Sequence, residues 1–299
     1  MGIYLGKPNL TKDSHVGENQ TLKYGVSAMQ GWRLNMEDAH ITSLQLPSGN
    51  NLFAVFDGHG GQEVAKFCGK YFEGELLKNE NYGKQNYKTA LEETFLKMDS
   101  ILMGENAMDL LREFKSDAEG HTFAGCTANV VLVTQTEIYC ANAGDSRAYV
   151  CMKNGQVIAL STDHKPDVET ERARIHNAGG YVSEGRVNDN LNLTRAIGDL
   201  EYKKNASLKP EQQIISAFPD VVVKAIEKNM NFMLVGCDGI WETLTAGEIC
   251  KIAEMRLNAK ILSHSAICEE LLDKLVAPST SEGTGCDNMS LILVQFKDN

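Results

Sequence analysis

The sequence predicts an α+β fold in which antiparallel sheets are covered by helices. Its apolar, strand-like runs come in groups instead of alternating one by one with helices, and segments of helical periodicity lie between the groups. The longest group, 127–160, is divided by turn signals at Thr134-Gln135-Thr136, Gly144-Asp145 and Lys153-Asn154-Gly155. Such signals between apolar runs predict successive antiparallel hairpins.

Seven continuous apolar runs predict buried strands. Short runs that are bounded by turn residues are typical of strands whose two faces are both covered. In chain order the predicted strands are 52–56, 128–134, 137–142, 146–151, 156–160, 232–237 and 289–296.

Three helices are predicted in the segments between the strand groups. The first has one apolar face, formed by Leu91, Phe95, Met98 and Leu102. An apolar stripe over 267–276 predicts another. The segment 169–178 reads as a short helix that ends at Gly179-Gly180, because glycine suits the left-handed conformation of a helix end.

The composition of the 299-residue chain is that of a globular protein, with 42% hydrophobic and 23% charged residues. No internal repeat, low-complexity tract or proline-rich linker divides it. A single domain is therefore expected over 24–299, preceded by a flexible N-terminal extension, 1–23. The formal net charge of -11 argues against nucleic-acid binding, which normally requires a basic surface.

The eight cysteines indicate a reducing compartment, and a cytoplasmic location is expected. They include no C-x-x-C pair, so neither a zinc site nor a disulfide framework is expected. No apolar run approaches the roughly 18 residues of a membrane span, and the N-terminus lacks the apolar core of a signal peptide. Gly2 raises the question of lipidation, but the myristoylation pattern needs Ser or Thr where the chain has Gly6. Peripheral membrane association through Gly2 is left open.

Four aspartates at the ends of predicted strands need an explanation. Strand interiors disfavour Asp, yet Asp57, Asp145 and Asp238 follow apolar runs and Asp287 precedes one. One explanation is turn chemistry, because Asp and Gly suit turns. The other is a hard-cation site, in which carboxylates from separate strands meet around Mg²⁺ or Mn²⁺. The positions of the aspartates alone leave both explanations open.

Residues near these aspartates add groups that bind anions or transfer protons. Arg33 and Glu37-Asp38 follow Gly31-Trp32, and His59 lies within Asp57-Gly58-His59-Gly60-Gly61. Glycines permit close backbone approach to a ligand, and an imidazole donates or accepts a proton near neutral pH. Taken singly, each segment also has a structural explanation, as a solvated acidic pair or as a tight turn between a strand and a helix.

A series of segments carries a resemblance to a known family. They are Gly31-Trp32-Arg33, Met36-Glu37-Asp38-Ala39, Phe56-Asp57-Gly58-His59-Gly60-Gly61, Gly125-Cys126-Thr127-Ala128, Ala143-Gly144-Asp145-Ser146-Arg147, Asp163-His164-Lys165-Pro166, Glu171-Arg172-Ala173-Arg174-Ile175, Gly185-Arg186-Val187, Leu193-Thr194-Arg195-Ala196-Ile197-Gly198-Asp199, Asp238-Gly239-Ile240-Trp241-Glu242 and Cys286-Asp287-Asn288-Met289-Ser290. In order and in context they resemble the metal-dependent Ser/Thr protein phosphatases of type 2C, the PPM family. The resemblance spans roughly residues 24–297.

The resemblance implies a central antiparallel β-sandwich flanked by helices on both sides, in four layers, α-β-β-α. It implies one phosphatase catalytic domain, a hydrolase that removes phosphate from phosphoserine and phosphothreonine of proteins. The nucleophile would be a water or hydroxide that bridges two Mg²⁺ or Mn²⁺ ions, with no covalent phosphoenzyme. Phosphoprotein substrates are therefore the expected partners, and a monomer is expected.

The resemblance also implies roles for individual residues. The catalytic set would be His59 as general acid, Arg33 as the phosphate-binding group and Asp57 as the ligand shared by both metals. The implied metal ligands are Glu37, Asp38, Asp57, Gly58, Asp238 and Asp287, with Asp145 in a weaker third site. Asp238 and Asp287 would hold one metal, and the Gly58 carbonyl would serve the other, together with Glu37 through water.

The chemistry of these residue types agrees with that assignment. Five carboxylates at the two-metal site carry five negative charges, which two divalent cations and Arg33 together balance, so that a phosphate dianion can enter. Two such ions about 3.5–4 Å apart lower the pKa of a water between them. Oxygen ligands favour Mg²⁺ or Mn²⁺ over softer metals, and a guanidinium contacts two phosphate oxygens at once. Metal dependence close to absolute is expected.

Two departures from the family pattern lie beside the site. Glu242 stands where the family usually has Asp, and its longer side chain changes the geometry available to a third metal; Cys126 stands where Ser is common.

Two other functions are weighed against the leading one. A pseudophosphatase that binds partners without catalysis would lack metal ligands, which this chain retains. A hydrolase for another phosphoester would use the same site chemistry.

Overall fold

The computed structural model describes residues 4–114 and 123–297, which form sixteen strands and seven α-helices. The strands are β1 (Tyr4–Glu18), β2 (Leu22–Arg33), β3 (Ala39–Ser43), β4 (Asn51–Phe56), β5 (Gly58–His59), β6 (Gly125–Cys126), β7 (Ala128–Val133), β8 (Glu137–Ala143), β9 (Arg147–Met152), β10 (Val157–Ala159), β11 (Val182–Ser183), β12 (Arg186–Val187), β13 (Ile197–Gly198), β14 (Asp220–Ala225), β15 (Met230–Gly236) and β16 (Met289–Phe296). The helices are α1 (Glu63–Lys78), α2 (Glu80–Gly83), α3 (Tyr87–Leu102), α4 (Ala107–Arg112), α5 (Glu169–Asn177), α6 (Ala246–Ala259) and α7 (His264–Leu275).

Two antiparallel sheets lie at the centre of the structure. One has the strand order β1-β2-β16-β15-β9-β10 and the other β14-β8-β7-β4-β3. Helices α6 and α7 cover the outer face of the first sheet, and α1 and α3 cover the outer face of the second. The predicted α+β fold, an antiparallel sandwich with helices on both sides, is confirmed.

Strand β4 shows how the apolar pattern builds these layers. Every side chain of β4 is buried. Phe53 and Val55 belong to the core between the two sheets, whereas Leu52, Ala54 and Phe56 pack against the helices on the other face. Because successive side chains of a strand point to opposite faces, a strand between two apolar layers requires a continuous apolar run.

The predicted strands correspond to β4, β7, β8, β9, β10, β15 and β16, and the predicted helices to α3, α5 and α7. One predicted connection is wrong. Strand β8 pairs with β7 and β14, while β9 pairs with β10 and β15. The segment Gly144-Asp145 therefore carries the chain from one sheet to the other and does not close a hairpin. A turn signal marks a change of chain direction, but it does not reveal which sheet the next strand joins.

Most of the segment that was expected to be a flexible N-terminal extension forms the edge strand β1. It pairs antiparallel with β2 from Tyr4 to Glu18, and Lys12 Nζ lies 2.5 Å from Asp273 Oδ1 of α7. The strand has no apolar run because an edge strand with an open face carries mostly exposed, polar side chains. Since β2 starts at Leu22, the strand pair crosses the predicted boundary between residues 23 and 24.

Membrane attachment was left open on the basis of Gly2, which lies outside the described residues. Within residues 4–114 and 123–297, none of the helices combines the length and the apolar character that crossing a membrane requires. Peripheral association remains a prediction that rests on the sequence alone.

A disulfide joins Cys151 of β9 to Cys250 of α6, although the sequence indicated free thiols. The two residues are 99 positions apart, and neither belongs to a motif that would have singled it out. The other six cysteines are free and buried. The bond fastens one sheet to the helix that covers it.

The inserted segment, residues 160–219 between β10 and β14, has a small core of its own. Its buried apolar members are Ile175, Val187, Leu193, Ala196 and Ile215. The buried Glu171 carboxylate of α5 lies 2.5 Å from Arg174 Nη1 and 2.7 Å from Arg195 Nη2. These ion pairs tie α5 to the residues that lead into β13.

Candidate metal centre

The predicted acidic ligands meet at one end of the sandwich because strands of both sheets begin or end there. The start of β3 pairs with the end of β4, and the start of β16 lies beside the ends of β15 and β2. The acidic residues just outside these strand ends are Glu37, Asp38, Asp57, Asp238 and Asp287. The register of two antiparallel sheets thus gathers side chains that are far apart in sequence.

Asp38 and Asp57 form the most buried part of this cluster. With Cys237 they offer three possible ligand atoms that all lie within 4.8 Å of one another. Asp38 is 5% exposed, and its Oδ2 accepts a hydrogen bond of 2.7 Å from Ser290 Oγ. Its Oδ1 is buried and has no hydrogen-bond partner among the described residues. A buried carboxylate oxygen without a donor is suited to bind a cation.

The carboxylates of the cluster lack sufficient positive charge nearby. Burial raises the pKa of Asp57 well above its usual value, and the charges of Asp238, Asp38 and Asp287 raise it further. Burial likewise raises the pKa of Asp38 to about 7 and that of Asp238 to about 8, again with contributions from neighbouring carboxylates. Several acidic oxygens that repel one another in a buried site fit a divalent cation, which holds all of them ionised.

The donor set favours a hard cation. Burial raises the pKa of the Cys237 thiol well above its usual value. The Cys237 sulfur also lies 3.4 Å from the Asn288 carbonyl and accepts a hydrogen bond of 3.2 Å from the Ser290 amide. A protonated thiol engaged in this way is a poor ligand, so oxygen atoms remain, and these suit Mg²⁺ or Mn²⁺.

Glu37 and Gly58 lie together because the backbone of one segment passes close to that of the other. An added Cβ at Gly58 would overlap the carbonyl oxygen of Glu37. Glu37 Oε2 accepts a hydrogen bond of 3.3 Å from the Gly61 amide, and the Glu37 amide donates to Asn288 Oδ1 at 2.9 Å. Burial raises the pKa of the Glu37 carboxyl. Glycine at position 58 is therefore required for the close approach of this segment to the Glu37 backbone.

Arg33 stands at the open side of the cluster, at the end of β2. Its Nη2 lies 2.5 Å from Asp287 Oδ2, and its side chain is 46% exposed. A guanidinium has five N–H donors, so a single contact with Asp287 leaves others for a ligand. The guanidinium of Arg33 is thus fixed beside the carboxylates and remains open to solvent.

Asp145, the predicted ligand of a third metal, is buried and contacts Lys165 Nζ. Its negative charge also contributes to the raised pKa of Asp238. Glu242, whose length raised a question about this site, accepts a hydrogen bond of 2.7 Å from the Gly285 amide. A lysine is therefore the counter-charge of Asp145, a contact that no sequence pattern indicated.

His59 is held by a residue that the sequence did not pair with it. Its Nε2 lies 2.7 Å from Asp199 Oδ2. Burial lowers the pKa of His59, but the charge and the hydrogen bond of Asp199 outweigh this, so the pKa is raised and the imidazolium is favoured. With 140 positions between the partners, no local signal reveals the pair.

His164 holds the connection between β8 and β9 by hydrogen bonds. Its Nδ1 accepts a hydrogen bond of 3.1 Å from the Gly144 amide, and its Nε2 lies 3.1 Å from Asp220 Oδ2. The side chain is buried. It therefore braces the connection between β8 and β9 without facing a ligand.

A buried carboxylate cluster with an arginine at its mouth, set at the end of an α-β-β-α sandwich, is typical of an enzyme that binds divalent cations and phosphate. Comparison with known proteins agrees. The family model described as "Protein phosphatase 2C" matches residues 22–284. The chain belongs to the protein phosphatase 2C family, which confirms the family predicted from the sequence and its class of enzyme, the protein phosphatases.

Relatives match over nearly the whole chain. "Probable protein phosphatase 2C 6" of Paramecium tetraurelia is 50% identical over 99% of this chain and 100% of its own length. "Probable protein phosphatase 2C 11" of Oryza sativa subsp. japonica is 42% identical over 99% of this chain and 91% of its own. The crystal structure of a phosphatase from Toxoplasma gondii shares the fold, with a TM-score of 0.76 at 23% identity over 97% of this chain and 96% of that one.

Proposed function

We propose that the protein hydrolyses phosphoserine and phosphothreonine in other proteins, at a site that holds two Mg²⁺ or Mn²⁺ ions. The observation that carries this proposal is the buried, mutually repelling carboxylate cluster next to an exposed arginine. Family membership supports the reaction class. We further expect a monomer in the cytoplasm whose partners are its phosphoprotein substrates.

The carboxylates divide between two cation positions. Asp57 would be shared by both cations; Asp238 and Asp287 would hold one of them, and Glu37 with the Gly58 carbonyl would serve the other. Asp38 supplies negative charge beside them, and Asp145 belongs to a weaker third position. When bound, the two cations neutralise the carboxylates and make a water molecule nucleophilic near neutral pH.

Arg33 binds the phosphate of the substrate. Its guanidinium is exposed at the mouth of the cluster and matches two phosphate oxygens at once. The contact with Asp287 fixes the direction of the side chain, so the phosphorus is presented to the attacking water. The six free cysteines are buried, so none of them is placed to act as the nucleophile, and we expect hydrolysis without a covalent phosphoenzyme.

His59 acts as the general acid for the leaving group. An alkoxide of serine or threonine is a poor leaving group, and proton transfer from a positioned imidazolium lowers the barrier by a factor of about 10²–10⁴. The charge of Asp199 favours the imidazolium form. The His59 side chain is 25% exposed, so it remains accessible to a substrate.

The decisive variant is Asp57→Asn, which keeps the size of the side chain but removes the shared charge. We expect kcat on p-nitrophenyl phosphate and on a phosphothreonine peptide to fall by roughly 10²–10³-fold or more, the scale for losing one charge-stabilising group. Calorimetry should show weakened Mn²⁺ binding, and circular dichroism an intact fold. Asp273→Asn, on the surface of α7, is the matched control and should behave as wild type.

The same assay separates the proposal from its alternatives. Wild-type activity that survives thorough EDTA treatment would contradict the two-metal site. Absence of turnover on any phosphoester with Mn²⁺ or Mg²⁺ bound would favour the non-catalytic alternative. Turnover of phosphorylated metabolites in preference to phosphopeptides would favour the other hydrolase.

A further inference from the structure

Asp199, which is buried, and His59, which is partly exposed, form a hydrogen-bonded dyad next to the candidate metal centre. Their carboxylate and imidazole are joined by the 2.7 Å contact between Oδ2 and Nε2, and Asp199 is only 1% exposed. Because an ionised carboxylate accepts and does not donate, the proton of this hydrogen bond belongs to Nε2. Within the described part of the chain, Nδ1 of His59 takes part in no hydrogen bond, and it is the nitrogen left for a substrate.

A small three-stranded sheet brings the two residues together. Its order is β13-β6-β5, and Gly125 in the middle strand pairs with His59 on one side and with Gly198 on the other. An added Cβ at Gly125 would overlap Asp199 Oδ2 and lie 2.7 Å from His59 Nε2. The hydrogen bond thus passes directly over a position where only glycine leaves room for it.

The backbone at Asp199 is held in an unfavourable conformation. Its φ of 49° and ψ of 40° are left-handed, a conformation that few residues other than glycine, asparagine and aspartate adopt. Two hydrogen bonds maintain the conformation, from the Asp199 amide to the Ala124 carbonyl at 3.1 Å and from the Tyr202 amide to the Asp199 carbonyl at 3.0 Å. Strain of this kind concentrates where geometry serves function.

A buried ion pair fixes the chain on both sides of Asp199. Lys203 Nζ lies 2.5 Å from Asp99 Oδ2 of α3 and donates to the Ala196 carbonyl at 2.7 Å. The other oxygen of Asp99 accepts from the Gly198 amide at 2.8 Å. Each buried charge is therefore paired and hydrogen-bonded, the condition under which such pairs are tolerated. The result is a rigid support for the dyad.

We propose that Asp199 is a positioning residue that fixes the imidazole of His59 so that Nδ1 delivers the proton to the leaving group. The proposal rests on the proposed function. Water attacks phosphorus as the bond to the ester oxygen breaks; the electron pair of that bond goes to the ester oxygen, which takes the Nδ1 proton and leaves as an alcohol. The proton lost by the water passes to solvent, and solvent reprotonates Nδ1.

The test compares Asp199→Asn, His59→Gln and the double variant on two substrates of similar shape. Asn accepts the left-handed backbone, so Asp199→Asn preserves the fold. On phenyl phosphate, which has a poor leaving group, we expect kcat to fall about 10–100-fold with KM nearly unchanged. On p-nitrophenyl phosphate the fall should stay within about threefold. The double variant should be no slower than His59→Gln alone, because the two residues act as one unit.

A second measurement does not depend on turnover. In ¹⁵N-histidine NMR spectra of the wild type, the His59 ring should show a proton fixed on Nε2, and Asp199→Asn should lose it. Asp189→Asn is the matched control. Asp189 also has a left-handed backbone (φ 60°) and lies in the inserted segment, but its carboxylate accepts a hydrogen bond from the Tyr181 hydroxyl and not from a histidine. It should leave both the spectra and the kinetics unchanged.

Gly125→Ala provides a second route to the same result, because its Cβ displaces the dyad without removing either partner. It should reproduce the selective loss on phenyl phosphate. Equal losses on both substrates, or losses that add in the double variant, would overturn the positioning role. If the wild-type protein shows no metal-dependent hydrolysis, the proposed function is wrong. If NMR still shows the hydrogen bond between His59 and Asp199 in that case, the dyad has only a structural role.

Discussion

Glu171 shows what a single buried carboxylate does for the inserted segment. Burial alone would raise the pKa of Glu171, but Arg195 and Arg174 outweigh it and lower the pKa to about 2. The carboxylate also accepts a hydrogen bond of 2.5 Å from Thr194 Oγ1. Without its charge, Arg174 would lose its ion-pair partner and, among the described residues, Arg195 would keep only Asp220.

We therefore expect Glu171→Gln to lower the free energy of unfolding of the segment by about 3–5 kcal/mol. Because the folded pKa is lowered, the stabilisation is fully present above the ordinary value of 4.5 and is lost as the pH falls from there towards about 2. Urea denaturation and hydrogen exchange measured across this pH range should show a shallower slope for the variant. Glu169→Gln, exposed on the same helix, is the control; an equal loss in that variant would contradict the prediction.

Sequence reasoning at the residue scale singled out groups that stand at strand ends. Asp57, Asp238 and Asp287 follow or precede strands whose ends lie together in the two sheets, and their roles as metal ligands stay predictions. Asp199 and Lys165 were missed as partners of site residues. Each lies in a loop far along the chain from its partner, and tertiary contacts between loops leave no periodic trace in a sequence.

The disulfide between β9 and α6 is the covalent link between two layers of the fold. A bond across 99 residues restricts the unfolded chain, and such bonds typically stabilise by about 2–4 kcal/mol. In protein prepared without reductant we expect dithiothreitol to lower the free energy of unfolding in urea by that amount. Cys151→Ser should show no response to reductant. Mass spectrometry that finds eight free thiols in the untreated protein would contradict the prediction.

Strands with two covered faces were predictable, and strands with one open face were not. The run of β4 is continuous because both of its faces are buried, whereas β1 alternates exposed and half-buried residues at an edge. The strand that pairs with β9 could not be predicted from the sequence either, because β8 and β9 have similar apolar runs but lie in different sheets. Apolar patterns in the sequence indicate whether a strand is buried. Which strands pair with each other depends on the packing of the whole fold.

At the scale of the whole molecule, the net charge of -11 creates a field that acts on charged substrates before contact. We expect phosphothreonine peptides with basic flanking residues to show kcat/KM values about tenfold higher than acidic ones at low salt. Raising the ionic strength to roughly 0.5 M should largely remove the difference, because the Debye length falls to a few ångströms. A peptide with neutral flanks serves as the control. A preference that persists at high salt would indicate local contacts instead.

The acidic residues of the cluster come from both sheets, and this has a consequence for when the site forms during folding. Asp57 follows a strand of one sheet, while Asp238 and Asp287 border strands of the other; Arg33 meets a partner 254 residues away. Contacts of such long range form late in folding. A nascent or partly folded chain therefore has no hydrolytic site. It cannot dephosphorylate other proteins before both of its sheets have folded and packed together.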